Sequence, residues 1–286
     1  MAAVRERSAP STGGSVPTQN REFTWTDRDF DRVRELIYQR AGIDLQAGKH
    51  AMVYSRLSRR LRETGHSSFA EYLTWLERTD GPEWQEFVNA LTTNLTSFFR
   101  EQHHFEILAD LLRQRPAGPW NMWCNAASTG EEPYSIVMTA AEALGNGGKF
   151  KLSASDIDSK VLATAANGVY RADAIKGLSQ AQLQRFCLRG KNGNAGLVRM
   201  RPELRSAIDF LSVNLIRDDW PFKDPFDVVF CRNVMIYFDG PTQRSVLERI
   251  HRVMKPGAML FVGHAENFSD SRDLFTLRGK TVYERR

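Results

Sequence analysis

Residues 120–158 constrain the fold more than any other stretch of the chain. Trp120-Asn-Met-Trp-Cys-Asn-Ala-Ala-Ser-Thr-Gly130 carries an apolar run into a turn of small residues. Glu131-Glu-Pro-Tyr-Ser-Ile then opens an amphipathic helical pattern. Ser153-Ala-Ser-Asp156-Ile-Asp158 ends a second apolar run in an acid, 26 residues beyond Gly130. Strand, small-residue turn, helix and a second strand ending in a carboxylate form the half-fold that holds a nucleoside cofactor. Small residues let the backbone approach the ligand, and the acid suits ribose hydroxyls. The turn lacks a full Gly-x-Gly pattern, so alone it reads equally well as an ordinary strand-to-helix turn. Turn, acid and a later buried strand, taken in order, point to a nucleotide-type cofactor.

With 286 residues, 42% of them apolar, the chain can bury one large domain or two. No apolar run approaches the roughly 18 residues needed to span a bilayer. Residues 1–20 are rich in Ser, Thr, Gly, Pro, Asn and Gln and lack the apolar core of a signal peptide, so a disordered tail is expected there. The net charge of +5 and pI near 9.2 suit an acidic partner without choosing between protein and nucleic acid. Cys124, Cys187 and Cys231 are odd in number, far apart and without zinc-type spacing. That usage fits a reduced, cytoplasmic protein.

Residues 23–115 read as helices. Thr26 is a candidate N-cap, followed by Phe30, Val33, Leu36 and Ile37 at helical spacing and a stop at Ala41-Gly42. A second helix over about 49–64 has Val53, Leu57 and Leu61 as its seam. Ser68-Phe-Ala-Glu71 reads as a capping box, and Gly81-Pro82 opens a fourth helix. From residue 120 strands and helices alternate: strands at 120–125, 150–155, 208–213, 226–231 and 258–263, with helices at 131–144, 158–167 and 241–254. Phe226-Asp-Val-Val-Phe-Cys231 is apolar enough to be buried on both faces. Residues 274–284 read as a closing hairpin, the signal of a methyltransferase-type sheet. About 40 residues between the second helix and the third strand carry a short helix and two strand-like runs, Arg185–Arg189 and Gly196–Arg201, joined around Asn192-Gly193. They read as a small antiparallel insertion.

Three further clusters bear on chemistry. Asn94-Leu-Thr96-Ser-Phe-Phe-Arg100-Glu-Gln-His103-His104 is either a helix cap with an aromatic core face or a set of groups at the cofactor mouth. Adjacent histidines on a helix do not share a face and no third ligand is evident, so no metal site is expected. Cys231-Arg232-Asn233-Val-Met-Ile-Tyr237 follows the buried strand, where ligands of open α/β sheets sit. Glu131, at a helix start, either meets the helix dipole or a cationic group of the ligand. Arg56, Arg59 and Arg60 share one helix face, as a solvated ridge or a dock for an acidic helix.

These stretches resemble the CheR chemotaxis methyltransferases. The resemblance lies in Thr93-Asn-Leu-Thr-Ser-Phe-Phe-Arg-Glu, Ser128-Thr-Gly-Glu-Glu-Pro-Tyr-Ser, Ala154-Ser-Asp-Ile-Asp, Cys231-Arg-Asn-Val-Met-Ile-Tyr-Phe, Gly263-His-Ala-Glu-Asn-Phe and Leu277-Arg-Gly-Lys-Thr-Val-Tyr. It runs from about residue 23 to the end. It implies an α/β fold: a doubly wound, Rossmann-like S-adenosylmethionine-dependent methyltransferase sheet. An all-helical N-terminal domain precedes it and a small antiparallel β-subdomain is inserted in it. The expected division is a tail over 1–20, a helical receptor-docking domain over 21–95, and the methyltransferase domain over 96–286 with the insertion at about 175–206. The resemblance implies methyl transfer from S-adenosylmethionine to glutamate side chains of chemoreceptor cytoplasmic helices, with S-adenosylhomocysteine as co-product. Asn94, Thr96, Arg100, Glu131, Asp156, Asn214, Leu215, Cys231, Arg232 and Asn233 carry over as cofactor contacts. Arg100 and Tyr237 carry over as reaction-centre residues, and Arg56, Arg59 and Arg60 as the receptor dock. The β-subdomain resembles those that bind an aromatic, acidic peptide at a receptor's C-terminus. A monomer without nucleic-acid or membrane partners is expected.

The chemistry asks for little. A glutamate, with a reference pKa of about 4.3, is ionised at neutral pH, so no strong base and no metal are needed. What matters is holding the carboxylate in line for transfer; an Arg can orient it and a Tyr hydroxyl can help. A base-methylating enzyme is disfavoured, since no Pro-Pro turn and no Pro-Cys nucleophile occurs. A non-catalytic scaffold that binds the cofactor as a signal stays open, as does a small-molecule carboxyl methyltransferase, which would not need the basic helix.

Overall fold

The computed structural model describes residues 21–286. The tail expected over 1–20 lies outside them. Four helices come first: α1 (Asp27–Ala41), α2 (His50–Thr64), α3 (Phe69–Arg78) and α4 (Glu83–Leu91). Thr26 Oγ1 accepts from Asp29 N at 3.2 Å and Asp29 Oδ2 accepts from Thr26 N at 2.9 Å, a reciprocal cap that starts α1. Gly42, at φ 73, ends it in a left-handed turn. The expected box at α3 forms by half. Ser68 Oγ accepts from Glu71 N, but the Glu71 carboxylate turns instead to the backbone N and hydroxyl of Ser67, at 3.0 and 2.8 Å. The seams predicted from spacing bury together: Val33, Ile37, Val53, Leu57 and Leu61 are fully covered, packed with Phe69, Tyr72 and Phe87.

The remainder is layered α/β. It runs α5 (His103–Gln114), β1 (Trp120–Cys124), α6 (Glu131–Leu144), β2 (Phe150–Asp156), α7 (Ser159–Asn167), β3 (Val169–Arg171), α8 (Gln180–Phe186), β4 (Cys187–Arg189), β5 (Leu197–Met200), α9 (Pro202–Arg205), β6 (Ile208–Ser212), β7 (Phe226–Cys231), α10 (Gly240–Val253), β8 (Met254–Val262), β9 (Phe275–Gly279) and β10 (Val282–Arg285). The main sheet has the order β6-β2-β1-β7-β8-β10-β9. Its first five strands are parallel, and β10 runs antiparallel to both neighbours. Every residue of β7 is buried, as a central parallel strand requires. The closing antiparallel hairpin is the feature expected of a methyltransferase sheet.

Two differences from the sequence reading have physical causes. The insertion is a three-stranded antiparallel sheet, β3-β5-β4. Its extra strand, Val169–Arg171, is too short to carry a periodicity. Strand β8 starts at Met254 rather than Ala258, because Lys255-Pro256-Gly257 is absorbed at a register shift against β7 instead of ending the strand.

The helical half sits over the carboxyl ends of the parallel strands. Gln85 Nε2 donates to Ile157 O at 2.8 Å, Thr92 Oγ1 to Asp158 Oδ2 at 2.7 Å, and Asn214 Nδ2 to Arg40 O at 2.8 Å. These bonds fasten the helical half as a roof to the segments after β2 and β6, beside the point between β1 and β7 where the strand order reverses. Among the described residues no helix is long and apolar enough to cross a membrane.

Candidate active site

A cleft of about 410 Å³ lies under this roof, within the range of small-molecule sites. Its floor comes from the segments that follow β1, β2, β6 and β7, and its cover from Ala41–Met52 and Leu91–Arg100. Asn94, Thr96, Arg100, Asp156, Asn214, Leu215, Arg232, Asn233 and Tyr237 all line it, so nine residues from four separate stretches and both halves converge.

Asp156 ends β2 with only 9% of its surface exposed. Its two oxygens accept from Ser128 N at 2.8 Å and Asp158 N at 3.0 Å. Burial outweighs those bonds and pushes its pKa up to about 6. A carboxylate has about four acceptor sites, so roughly two remain for ligand hydroxyls. Asn94 ties cover to floor: its Nδ2 donates to Asp158 Oδ2 at 2.9 Å and its carbonyl accepts from Ser128 Oγ at 3.0 Å.

Arg232 is buried at the end of β7. Its Nη1 lies 2.5 Å from Glu132 Oε2, and its Nη2 donates to the backbone carbonyl of Arg100 at 2.6 Å. Burial raises the Glu132 pKa even against the pull of Arg232. The Arg100 side chain itself is half-buried, with Nη1 donating to Leu95 O at 3.1 Å.

The turn after β7 is clamped by one carboxylate. Glu266, 5% exposed, accepts from the backbone N–H of Gly263, Asn233, Val234 and Met235, at 2.6, 2.9, 3.0 and 2.8 Å. Asn233 is held at φ 58, and the turn runs directly into the short helix Met235–Tyr237. A Cβ on Gly263 would come within 2.5 Å of Asn233 Nδ2 and 2.9 Å of Glu266 Oε2, so this position has no room for a side chain.

Two expected cofactor residues do not line the cleft. Glu131 turns its carboxylate to Thr129 Oγ1, at 2.6 Å. Cys231 is fully enclosed within β7, and burial drives its thiol pKa well up. Arg56, Arg59 and Arg60 do not form one free ridge. Arg56 Nη1 donates to the carbonyls of Leu91 and Thr92, at 3.1 and 2.6 Å. Arg60 is sunk against Glu83, at 2.5 Å, and carries an elevated pKa from that contact. Arg59 alone is well exposed, paired along the helix with Glu63 at 2.8 Å.

The sequence reading missed Asn125, Ser128, Glu132, Ile157 and Glu266. Ser128 and Glu132 stood inside a recognised motif, yet periodicity does not say which of two adjacent acids faces a cleft. Glu266 also stood inside a recognised motif, Gly263-His-Ala-Glu-Asn-Phe, but its role was hidden because three of its four donors lie 31 to 33 residues away. The histidine pair also gains a neighbour that spacing hid. Ligand atoms of Glu101, His103 and His104 lie within 4.8 Å of one another and could hold a metal ion. As folded, both rings face the Lys280 carbonyl, and Arg232 stands 3.5 Å from the Glu101 carboxylate.

The lining fits an adenosine-type cofactor. Ile157, Val213 and Leu215 offer an apolar wall beside the Asp156 carboxylate. The buried Asn125 amide faces the cleft, and neither of its polar atoms has a protein partner beyond the weak thiol of Cys231. Such an amide awaits a ligand's donor or acceptor.

Comparison with known proteins agrees with this geometry. Residues 28–92 match the family model described as "CheR methyltransferase, all-alpha domain", and residues 94–284 match "CheR methyltransferase, SAM binding domain". The chain is 50% identical over 286 residues to the chemotaxis protein methyltransferase of Klebsiella aerogenes, covering 99% of this chain and 98% of that one. It is 52% identical over 260 residues to the chemotaxis protein methyltransferase of Escherichia coli, covering 90% and 91%. Against chemotaxis protein methyltransferase 2 of Pseudomonas aeruginosa it is 49% identical, covering 96% and 99%. The chain therefore belongs to the CheR methyltransferase family, joining that family's all-α domain to its S-adenosylmethionine-binding domain.

Proposed function

We propose that the chain methylates glutamate side chains on the cytoplasmic helices of chemoreceptors, forming glutamate methyl esters from S-adenosylmethionine. The observation that carries this reading is the meeting of Arg100 and Tyr237, from the two halves of the chain, in the same cleft as Asp156. Asp156 would hold ribose hydroxyls, Ile157 and Leu215 the purine, and Asn125 a polar group of the same ligand. When bound, S-adenosylmethionine supplies a sulfonium-activated methyl group whose transfer to a carboxylate releases no proton. The chain's own task is placement. The Arg100 guanidinium orients the acceptor carboxylate, and the Tyr237 hydroxyl fixes the angle at which it enters.

The partner surfaces follow from the same reading. Arg59 is the member of the α2 ridge free to meet an acidic receptor helix, while Arg56 and Arg60 hold α2 in place. On the small sheet, Val169 and Leu188 stand 37% and 41% exposed on either side of Arg199, their common cross-strand neighbour. Apolar side chains around an arginine suit the aromatic, acidic peptide at a receptor's C-terminus, added as an edge strand. Such tethering raises local concentration without altering the cleft. The enzyme would work as a monomer in the cytoplasm.

The test is transfer of labelled methyl from S-adenosylmethionine to receptor-containing membranes, followed by mild base. Label released as methanol supports a carboxyl ester. Label that survives base means nitrogen or carbon methylation and overturns the chemistry. Absence of label on every receptor favours a scaffold role.

A further inference from the structure

Arg100 reaches the cleft from a backbone that side chains rarely adopt. Phe99 and Glu101, its two chain neighbours, both lie in the left-handed region, at φ 52 and 57. Such a segment keeps its shape only where its surroundings hold it. Phe99 N donates to Ser135 Oγ at 2.9 Å, and the Arg100 carbonyl is taken by Arg232. The third hold is the Glu101 side chain, which is 12% exposed and not part of the cleft wall. Its Oε1 accepts from the backbone N of His264 at 3.4 Å and stands 3.1 Å from Nδ1 of the same residue. A carboxylate can only accept, so the ring donates there. Oε2 is paired with Arg232 Nη2 at 3.5 Å. Helix α5 does not need these bonds. It starts from the Glu101 carbonyl, which accepts from His104 N at 3.0 Å, with no side-chain cap.

On the far side of those bonds is the turn that bears on Tyr237. The N–H groups of Gly263 and His264, adjacent in the chain, go to two different carboxylates, Glu266 and Glu101. Glu266 also takes the N–H groups of Asn233, Val234 and Met235, which lead into Tyr237. One short turn therefore joins the Arg100 arm, through Glu101, to the Tyr237 arm, through Glu266. We propose that Glu101 is a positioning residue for methyl transfer, whose carboxylate fixes the Arg100 guanidinium relative to the Tyr237 hydroxyl through the 263–266 turn. The proposal rests on the reading of Arg100 and Tyr237 as the reaction centre. Released from the turn, Arg100 would still meet an acceptor carboxylate, but out of line for transfer. A displacement of about 1 Å is enough to cost about a hundredfold in rate.

Initial rates of methyl transfer to receptor-containing membranes, with calorimetric affinity for S-adenosylhomocysteine, test this in the full chain. Glu101→Gln keeps the size of the side chain but presents an amide donor to Arg232 or His264, which are donors themselves. Glu101→Asn removes the carboxylate while suiting a left-handed backbone better than glutamate does. Both should lower kcat about tenfold, with receptor KM and cofactor-product affinity within about twofold. His264→Ala removes a ring that is 72% exposed and should lower kcat about threefold, the worth of one hydrogen bond. In an Arg100→Ala background there is no guanidinium left to place, so Glu101→Gln should lower kcat by less than about twofold more. A wild-type kcat in Glu101→Asn overturns the proposal and leaves Glu101 as a former of the left-handed turn. A wild-type kcat in His264→Ala overturns the link to the Tyr237 arm. So does a Glu101→Gln loss that recurs in full when Arg100 is already alanine. A loss matched by a fall in S-adenosylhomocysteine affinity overturns the proposal as well, by making Glu101 a support of the cofactor wall. If Arg100→Ala alone transfers methyl at the wild-type rate, the reading beneath the proposal falls, and the proposal with it.

Discussion

Arg232 holds Arg100 by the backbone. Its Nη2 donates to the Arg100 carbonyl at 2.6 Å, while Nη1 is spent on Glu132 at 2.5 Å. A strand-end residue with 3% exposure therefore sets where the loop bearing Arg100 sits, and Glu132 supplies the charge that keeps a guanidinium underground. Removing one partner of a buried pair strands the other, which costs about 3–5 kcal/mol. Arg232→Met should lose stability on that scale in urea denaturation. The double variant Arg232→Met with Glu132→Gln should recover more than half of the loss. A single variant within about 1 kcal/mol of wild type would show that the pair is not holding the loop.

Tyr237 should matter to the rate and not to the cofactor. Its backbone is fixed twice, N donating to Val234 O at 3.1 Å and O accepting from Asp44 N at 2.8 Å, so Tyr237→Phe leaves the ring in place. Losing only the hydroxyl misplaces the acceptor, and kcat should fall about tenfold to a hundredfold. Calorimetric affinity for S-adenosylhomocysteine should change less than about twofold by the same reasoning. A large loss of that affinity instead would place the hydroxyl on the cofactor.

How far the sequence could be read depended on whether the partners of a residue were local. The α1 cap, the seams of α1 and α2 and the nearly all-apolar β7 are set within a few residues, and each folds as its pattern implies. Long-range partners were invisible. Arg56 and Arg60 look like a solvated ridge until α4 supplies the carbonyls of Leu91 and Thr92 and the carboxylate of Glu83. Glu101 gains His264 from 163 residues away, at 3.1 Å. At the site, the converging motifs were legible because each carries a run of distinctive residues. The choice between neighbours was not: Glu132 rather than Glu131 lines the cleft, which only the angle of α6 on the sheet decides.

Glu266 makes a sharper test of how the turn is built. A carboxylate can accept from four N–H groups at once, whereas the glutamine amide turns a donor towards donors. Glu266→Gln should therefore destabilise the protein by about 2–4 kcal/mol, as stranding buried N–H groups does. Because the turn leads into Tyr237, kcat should fall alongside while receptor KM stays near wild type. Gly263→Ala should act in the same direction, by pushing Asn233 and Glu266 apart. If Glu266→Gln keeps both its urea midpoint and its kcat, the four bonds are not what shapes the turn.

His104 should make the protein acid-sensitive well above the range of its carboxylates. Its side chain is completely buried, with Nε2 2.8 Å from Thr281 Oγ1 and Nδ1 3.6 Å from Glu101 Oε2. Phe261 covers one edge of the ring, and Arg232 and His103 face it electrostatically. Burial first, then the Arg232 charge and the nearby His103, lower its pKa to about 4, against the opposing pull of the Lys280 carbonyl and Glu101. The folded protein thus keeps the ring neutral where the unfolded chain, with a reference value of about 6.5, takes up a proton. Stability from this group is complete above about pH 6.5, falls as pH drops, and is lost by about pH 4. Between pH 7.5 and pH 5 that amounts to about 2 kcal/mol. Asp156, raised to about 6, works in the opposite sense over part of the window, so the comparison must be with a variant that leaves it unchanged. His104→Gln should start less stable at pH 7.5, for loss of the ring against Phe261, yet lose about 2 kcal/mol less than wild type on moving to pH 5. Equal losses in urea denaturation at the two pH values would mean that His104 is protonated in the folded state and that its surroundings tolerate the charge.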